Sequence, residues 1–313
     1  MTEFITEEIE RFVYWQEERE SIRFKKEVLK EPPPWTDDTI LQEFKFCNVF
    51  REDDRTTRWF VKHIRDPLQD KPSVIMATVI FRWFNLINTG RTLLEHDLLI
   101  NWDRKKAIEE ITKQPKWITG AYIIKTPNRM DKVTGVAECI SHMWQDRNYI
   151  TDTLGEQWIK KESSLEKTWD LILKYPYMGP FMAYEVVTDL SHTYLLQNAE
   201  DRLTWANAGP GAMRGLNRLT GRDLEFCKRS HDWNKEMNDL YETVTGKYMI
   251  WFNRKDLPYE MREIEGGLCE FDKYSRIVKG QGRTRSIYRH DKDLPLIEDV
   301  TEGKSRYESN FSN

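Results

Sequence analysis

The run LILKYPYMGPFMAYEV at residues 171–186 is typical of two helices joined by a tight turn. Pro176 is expected to end the first helix, because proline lacks the N–H that a helix interior needs. Gly179 is expected to adopt a turn conformation that most residues avoid, and Pro180 suits the first position of the second helix. The sequence therefore predicts a helix-hairpin-helix at residues 165–190.

A hairpin of this kind can bind nucleic acid through its backbone. The N–H groups of the turn and of the following helix N-terminus face a phosphate, a contact that carries no sequence information. An ordinary corner between two helices has the same Gly-Pro signal, so the hairpin alone leaves both interpretations open. Residues 163–166, Ser-Ser-Leu-Glu, predict a capping box at the start of the first hairpin helix.

Helical periodicity dominates the rest of the chain, and alternating strand patterns are scarce. The sequence therefore predicts a mainly α fold. Helices are expected at 5–30, 36–46, 74–87, 211–219 and 224–244. The expected organisation is an N-terminal helical arm with a Pro-rich linker at 1–35, a helical domain at 36–250 and a C-terminal segment at 251–313.

Composition excludes several classes of protein. With 39% hydrophobic residues and 12 Trp in 313 residues, the chain is expected to fold around a substantial core rather than to be disordered. No apolar run approaches the length of a membrane span, and the N-terminus does not resemble a secretion signal, so a cytoplasmic protein without membrane partners is expected.

The four cysteines lack the spacing of a disulfide framework and are expected to be reduced thiols. Cys139 with His142 and Cys227 with His231 have helical spacing, which leaves a zinc site as a less favoured alternative to core thiols.

The net charge of −4 does not indicate a nucleic-acid binder, but the positive charge is unevenly distributed. Between residues 273 and 290 no acid occurs, and two glycines interrupt a series of bases. This segment is a candidate phosphate-binding loop, with a solvated surface loop as the alternative. Its bases are Lys273, Arg276, Lys279, Arg283, Arg285 and Arg289.

Residues 266–276, GGLCEFDKYSR, place a thiol, two carboxylates, an ammonium, a phenol and a guanidinium close together. An exposed charged helix would explain Glu270 and Lys273, which are three residues apart. It gives no reason for the adjoining Cys269 and Tyr274. We therefore expect a functional role for this segment.

Two polar residues lie in a strongly apolar predicted helix, Arg82 and Asn85. Buried polar groups need partners, so these side chains either pair within the fold or point into a cleft. After the hairpin come Asp189 and then the segment 206–216, ANAGPGAMRGL. This order resembles the helix-hairpin-helix DNA glycosylases, in which a catalytic Asp follows the hairpin. The equivalent place here holds the unreactive residues 206–209, so ordinary base excision is not expected.

Four segments taken together resemble a single family: 48–55, 177–184, 208–212 and 269–274. It is the alpha-glutamyl/putrescinyl-thymine pyrophosphorylase-like group of phage DNA hypermodification proteins. The group includes amino-acid:DNA transferases and the 5-hydroxymethyl-dU DNA kinase helical domain. The resemblance spans roughly residues 40–290 and leaves the N-terminal arm outside.

The resemblance implies a helix-hairpin-helix, DNA glycosylase-like helical fold acting in the cytoplasm of an infected bacterium. Its substrate would be double-stranded phage DNA containing 5-hydroxymethyluracil that a separate kinase has phosphorylated. The enzyme would replace the phosphate or pyrophosphate with an amino acid or a polyamine. A kinase role is not expected, because no Lys-Ser/Thr follows residues 208–212 as in a phosphate loop. A glycosylase and a non-catalytic DNA-binding module are the alternatives.

Such chemistry requires a flipped base, cations for the departing phosphate and a carboxylate to deprotonate the amine. No cofactor is implied, except for a divalent cation as an option at the leaving phosphate. The residues assigned to the reaction are Glu270, Asp272, Lys273, Cys269 and Asp189. Those assigned to DNA or substrate binding are Arg51, Asp54, Arg55, Arg82, Asn85, Gly179, Phe181, Tyr184, Gly209, Gly211, Tyr274, Arg276, Arg283 and Arg285.

Cys269 has two interpretations. Its thiolate could add to C6 of the uracil ring and help to expel the phosphate, leaving an electrophilic methylene. Alternatively, the thiol packs in the core.

Overall fold

The computed structural model describes residues 1–248, 254, 256–282 and 287–288. Within these residues the chain is mainly helical, and its only β pairing is an isolated antiparallel bridge between Phe44 and Ile287. The mainly α prediction is confirmed. The helices are α1 (Thr6–Arg23), α2 (Thr39–Glu43), α3 (Arg55–Phe60), α4 (Asp66–Leu68), α5 (Val74–Phe84), α6 (Ile87–Glu95), α7 (Arg104–Thr112), α8 (Lys132–Gln145), α9 (Arg147–Lys160), α10 (Leu165–Leu173), α11 (Pro180–Leu190), α12 (Pro210–Thr220), α13 (Trp233–Thr243) and α14 (Met261–Val278).

Several helices are shorter than predicted, because polar residues set where they begin or end. The α5 helix ends at Phe84, because Asn85 adopts the left-handed conformation with φ 44°. The next helix, α6, begins at Ile87. Asp232 caps the backbone N–H of Lys235, so α13 begins at Trp233 rather than at residue 224. Asp38 similarly caps α2, which covers only Thr39–Glu43 of the predicted 36–46.

The α10 and α11 helices form the predicted helix pair, but the turn between them differs from expectation. Gly179 has φ −69° and ψ 166°, an ordinary extended conformation. The left-handed residue is Tyr177, with φ 64°, so the expected role of Gly179 in the turn is wrong. Pro180 is the first residue of α11, as predicted.

The start of α10 is capped, though not by the predicted box. The Ser164 hydroxyl accepts the N–H of Lys167 at 3.1 Å. The carboxylate of Asp201 accepts the N–H groups of Leu165 and Glu166, at 2.7 and 3.0 Å. Asp201 therefore satisfies the helix donors, and the predicted box closed by Glu166 is wrong.

The chain forms two compact units. The first combines residues 1–54 with the described residues from 206 onward, and the second is residues 55–205. These boundaries differ from the predicted 1–35, 36–250 and 251–313. The N-terminal helix is part of the first unit because Phe12 of α1 packs edge-to-face on Phe271 of α14, with ring centroids 5.4 Å apart.

In the first unit, α14 is the central helix. Its Tyr274 belongs to an apolar cluster with Trp15, Leu41, Phe44 and Phe46. Burying each large apolar side chain of this kind stabilises the fold by roughly 2 kcal/mol.

In the second unit, α5 is the central helix. Every residue from Val74 to Phe84 is buried, and α5 packs against α11 and α8. A helix that is apolar on all sides requires such a surrounding of other helices.

Candidate functional site

Glu270 lies near the middle of α14 in the first unit, and its carboxylate is buried. One oxygen forms an ion pair with Lys273, one turn further along the helix. The other oxygen accepts the backbone N–H of Cys47 at 3.1 Å. Burial opposes the charge on Lys273, but the adjacent carboxylate raises the pKa of Lys273 above its usual value.

The segment 47–54 carries further polar groups to this position. The N–H of Asn48 donates to Asp54 Oδ1 at 3.1 Å, and the Asn48 side chain donates to the carbonyl of Asp53 at 3.0 Å. Arg19 of α1 donates to the Cys47 carbonyl at 3.1 Å and to the Asn48 amide oxygen at 2.6 Å. Arg19 and Glu270 therefore hold the start of the segment, and the bond from Asn48 ties Asp54, at the end of the segment, to this start.

Asp54 has an unusual acidity for an aspartate. Burial raises its pKa to about 6, while the Asn48 N–H and the positive charges of Arg19 and Arg51 act in the opposite direction. The negative charge of Glu270 contributes to the increase. A carboxylate with this pKa can exchange a proton close to neutral pH.

We call Cys47, Asp54, Glu270 and Lys273 the carboxylate cluster. Three of its members were predicted as site residues, and the structure brings them together from two distant segments. Cys47 was missed, because its part is played by its backbone N–H, which no sequence pattern shows. The charge of Glu270 raises the pKa of the exposed Cys47 thiol well above its usual value.

Cys269 is positioned as a packing residue. A side chain at Gly211 of α12 would collide with the Cys269 sulfur. Burial and the nearby carboxylates of Glu270 and Glu265 raise the pKa of Cys269 to about 12. A thiol held in this state is a poor nucleophile, so the structure supports the core interpretation over the thiolate.

The glycines of the predicted 208–212 motif have a structural explanation. Gly211 allows α12 to approach Cys269, and Gly215, one turn later, faces the backbone carbonyl of Leu268. A Cβ at Gly209 would only touch the Glu265 carboxylate, at 3.5 Å. Gly211, one of the two glycines predicted to bind substrate, therefore permits close contact between α12 and α14, together with Gly215, which was not predicted as a site residue.

Asp272 is surrounded by arginines. It accepts from Arg218 at 2.8 Å and from Arg276 at 2.6 Å, and Arg214 lies 3.4 Å away. Burial would raise the pKa of Asp272, but the hydrogen bonds from Arg218 and Arg276 hold it below its usual value. Such a carboxylate is a weak base, which disfavours the predicted catalytic role. No sequence pattern indicated Arg214 or Arg218, since their convergence on Asp272 depends on the packing of α12 against α14.

Tyr274 is buried and donates to Asp38 at 2.6 Å. This position favours structural support of α2 over the predicted contact with DNA. Arg51, predicted to bind substrate or DNA, is buried, and its positive charge acts on Asp54. Arg283 and Arg285 lie outside the described residues.

The second unit contains another group of predicted residues, in which Arg82 and Asp189 form a fully buried bidentate pair. Arg82 also donates to the Asn85 side chain at 2.8 Å and stacks over Phe60 at 5.0 Å. The pair joins α5 to α11, and neither side chain is accessible. The structure therefore favours the structural interpretation of Arg82 and Asn85, and it disfavours a catalytic role for Asp189.

The hairpin of the second unit exposes some of its aromatic residues. Tyr177 and Phe181 are 46% and 49% exposed, and Phe181 also packs against Tyr122 with ring centroids 4.8 Å apart. Tyr184 is buried against Trp205, so it does not present its ring at the surface. Arg55 is the first residue of α3, also in this unit.

Across the described ranges, no cluster of three or more His, Cys, Asp or Glu side chains is suited to a metal ion. The His residues of the two pairs considered for zinc contact carboxylates instead. His142 lies 3.4 Å from Glu138, and His231 lies 2.9 Å from Glu236. No helix among the described residues is both long and apolar enough to span a bilayer.

The fold and the carboxylate cluster define a mainly helical protein in which a buried carboxylate, Glu270, pairs with the half-buried ammonium of Lys273. The family model "5-hmdU DNA kinase, helical domain" matches residues 6–284, and the chain belongs to this family. The match includes α1, which the sequence resemblance had left outside. Membership confirms the relation to phage thymine hypermodification proteins.

A curated relative is the 5-hmdU DNA kinase of Bacillus phage SP10. It is 25% identical over 285 residues, which cover 82% of this chain and 43% of the relative. The chain thus spans less than half the length of this relative. No solved structure matches the chain.

Proposed function

We propose that the chain acts in the hypermodification of thymine in phage DNA, as an enzyme that attaches an amine to 5-phosphomethyl- or 5-pyrophosphomethyluracil. Family membership supports the DNA substrate, since the SP10 relative is named as a kinase of 5-hmdU DNA. The carboxylate cluster supports the reaction. The product would be an amino-acid or polyamine adduct of the base, and the setting would be the infected host cytoplasm.

The observation that carries the proposal is the elevated pKa of Asp54 beside the Glu270–Lys273 pair. The ammonium form of the amine must lose a proton before its nitrogen can act as a nucleophile, and a base with a pKa near the working pH is most effective. Asp54 would accept this proton. The amine nitrogen forms a bond to the methylene carbon, and the bond from that carbon to the phosphate oxygen breaks, with the electron pair leaving on the phosphate.

The departing phosphate needs positive charge in a fixed position. Lys273, held by Glu270, and Arg51, beside Asp54, would supply it. Glu270 would act by orienting Lys273 and the 47–54 segment.

The exposed hairpin of the second unit would contact DNA. Its aromatic side chains Tyr177 and Phe181 are accessible, and α11 begins without a side-chain cap. Backbone donors at such a position suit a phosphate. The likeness to glycosylase hairpins is part of this proposal.

A kinase is the second candidate, because the curated relative is named as one. Its activity belongs to a protein of which this chain matches 43%. Under this alternative the helical chain would bind 5-hydroxymethyluracil DNA for phosphorylation by other residues.

The test is a product analysis. The protein is incubated with 5-phosphomethyluracil duplex DNA and a mixture of amino acids and polyamines, and the digested nucleosides are identified by mass spectrometry. An amine adduct supports the transferase. A parallel reaction with 5-hydroxymethyluracil DNA and ATP tests whether the chain itself phosphorylates the base, and abasic sites would indicate a glycosylase.

Variants connect the product to the cluster. Asp54→Asn and Glu270→Gln should lose the adduct, while Glu7→Gln, which removes an exposed carboxylate of α1, should retain it. Addition of EDTA tests the optional divalent cation at the leaving phosphate. Binding of DNA without any product, in wild type and variants alike, would contradict the enzyme proposal and favour a binding module.

A further inference from the structure

Three arginines from two helices converge on a single carboxylate in the first unit. Arg218 and Arg276 donate to Asp272 at 2.8 and 2.6 Å, and Arg214 Nε lies 3.4 Å from the same group. We call these three arginines, on α12 and α14, the arginine cluster.

The charges of the arginine cluster do not balance. Arg214 has one further partner, Glu225, whose side chain is 80% exposed. The hydrogen bonds from the arginines hold the pKa of Asp272 low despite its burial, so Asp272 stays charged. Among the described residues, three guanidiniums therefore face two carboxylates, which leaves one positive charge in excess.

Three buried N–H donors of the cluster have no hydrogen-bond partner among the described residues: Nε of Arg214, Nε of Arg276 and Nη2 of Arg218. Arg218 is almost completely buried, with Nε on Asp272 and Nη1 donating to Gln281 at 2.8 Å. Its Nη2 is buried and has no acceptor among the described residues. A buried donor without an acceptor costs about 1–3 kcal/mol, so an anion that reaches it would be stabilised.

Arg214 and Arg276 contact the same carboxylate as Arg218 and are closer to solvent. The side chains of Arg214 and Arg276 are 29% and 32% exposed, so each can present an N–H group to a ligand from solvent. Guanidinium groups match phosphate oxygens in pairs, which makes them well suited to such an anion.

The arginine cluster is separate from the carboxylate cluster. Glu270 and Asp272 are two residues apart on α14, which directs their side chains about 200° apart around the helix axis. A ligand at the arginines therefore contacts a different face of α14 from the proposed reaction.

We propose that Arg214, Arg218 and Arg276 form a phosphate-binding site that takes a backbone phosphate of the DNA. The choice of DNA as the source of the phosphate rests on the proposed function. Inorganic phosphate has the same chemistry, so the test must separate the two sources.

The test uses the full chain and a duplex containing 5-hydroxymethyluracil, with no amine or ATP present. Arg214→Gln, Arg276→Gln and the double variant are compared with Lys235→Gln. The control removes one exposed positive charge from the same unit, where Lys235 pairs with Asp239. Because Arg218 is buried, it is changed only to Lys, and unfolding is monitored for every variant.

For DNA, the plot of log affinity against log salt has a negative slope, which should become less steep by about 0.9 in the double variant, as expected for one lost phosphate contact. The control should keep the wild-type slope. For inorganic phosphate, the measurement is the rise in Tm that added phosphate produces.

A reduced slope in the double variant supports the DNA site. An unchanged slope with loss of the phosphate-dependent rise in Tm shows a site for free phosphate and overturns the DNA assignment. The site itself is overturned if the double variant retains both the wild-type slope and the phosphate-dependent rise in Tm. It is also overturned if Lys235→Gln loses as much of either as the double variant does. None of these outcomes depends on amine transfer, so failure of the product analysis would be a separate result.

Discussion

Glu270 accepts the backbone N–H of Cys47 at 3.1 Å, although 223 positions separate the two residues in the chain. This bond fixes the 47–54 segment against α14 and places Asp54 near the Glu270–Lys273 pair. Together with Lys273, the Cys47 N–H gives each oxygen of the buried Glu270 carboxylate a partner.

Glu270→Gln is expected to reduce amine transfer by about 10²-fold, a typical effect of misplacing catalytic groups. The amide oxygen can still accept from Cys47, so the fold should persist while the charge that holds Lys273 is lost. Rates of adduct formation, measured alongside circular dichroism, check this. Wild-type turnover in a folded Glu270→Gln protein would contradict the proposed site.

The activity should depend on pH through Asp54. Burial raises its pKa to about 6, so the carboxylate is protonated and inactive as a base below this value. The rate should therefore rise with pH through about 6. In Asp54→Asn this limb of the pH profile should disappear together with most of the activity, while DNA binding is retained.

Arg19 is expected to be a positioning residue for Asp54. It donates to Cys47 and Asn48, and its charge lowers the pKa of Asp54. Arg19→Met should therefore shift the acid limb of the pH profile to higher pH as well as decrease the rate. Arg19→Lys should reverse part of this shift toward the wild-type profile, since lysine returns the positive charge without the paired hydrogen bonds. A purely structural role would lower the rate without moving the limb.

Asp189→Asn tests the buried pair with Arg82. Removal of one charge leaves the Arg82 guanidinium uncompensated in the core, which typically costs about 3–5 kcal/mol. The midpoint of urea denaturation should therefore decrease. Activity per folded molecule should be unchanged at low temperature, and its loss in a fully folded variant would restore the catalytic role predicted from the sequence.

The parts of the fold set by local signals were predictable. Pro180 marked the start of α11, and the helix predicted at 211–219 lies within α12 (Pro210–Thr220). Arg82 was recognised as needing a partner. The partner, Asp189, could not be identified from the sequence, because it lies 107 positions from Arg82 and meets it only through the packing of α5 against α11.

The candidate site was predicted in composition but only partly in role. Glu270, Lys273 and Asp54 came from short motifs, and the structure brings them together. The same motifs also contained Asp272 and Tyr274, which the structure places in ion pairs and in the core. A sequence motif on a helix contains residues of every face, and only the packing around α14 separates them.

The contact between α12 and α14 gives a final prediction, which separates packing from chemistry at Cys269. Gly215→Ala would place a Cβ about 2.5 Å from the Leu268 carbonyl oxygen, and a backbone atom cannot be trimmed by a second mutation. Gly211→Ala would instead collide mainly with the Cys269 sulfur. Each change should destabilise the protein by about 1–3 kcal/mol, as overpacked cores do.

Only the second clash can be relieved. Cys269→Ala should recover part of the stability lost in Gly211→Ala and none of that lost in Gly215→Ala, as measured by urea denaturation. Cys269→Ala alone should keep amine transfer, because the pKa of the thiol is raised to about 12 and a group so rarely ionised contributes little as a nucleophile. Complete loss of transfer in a stable Cys269→Ala protein would instead require the sulfur to take part in the reaction.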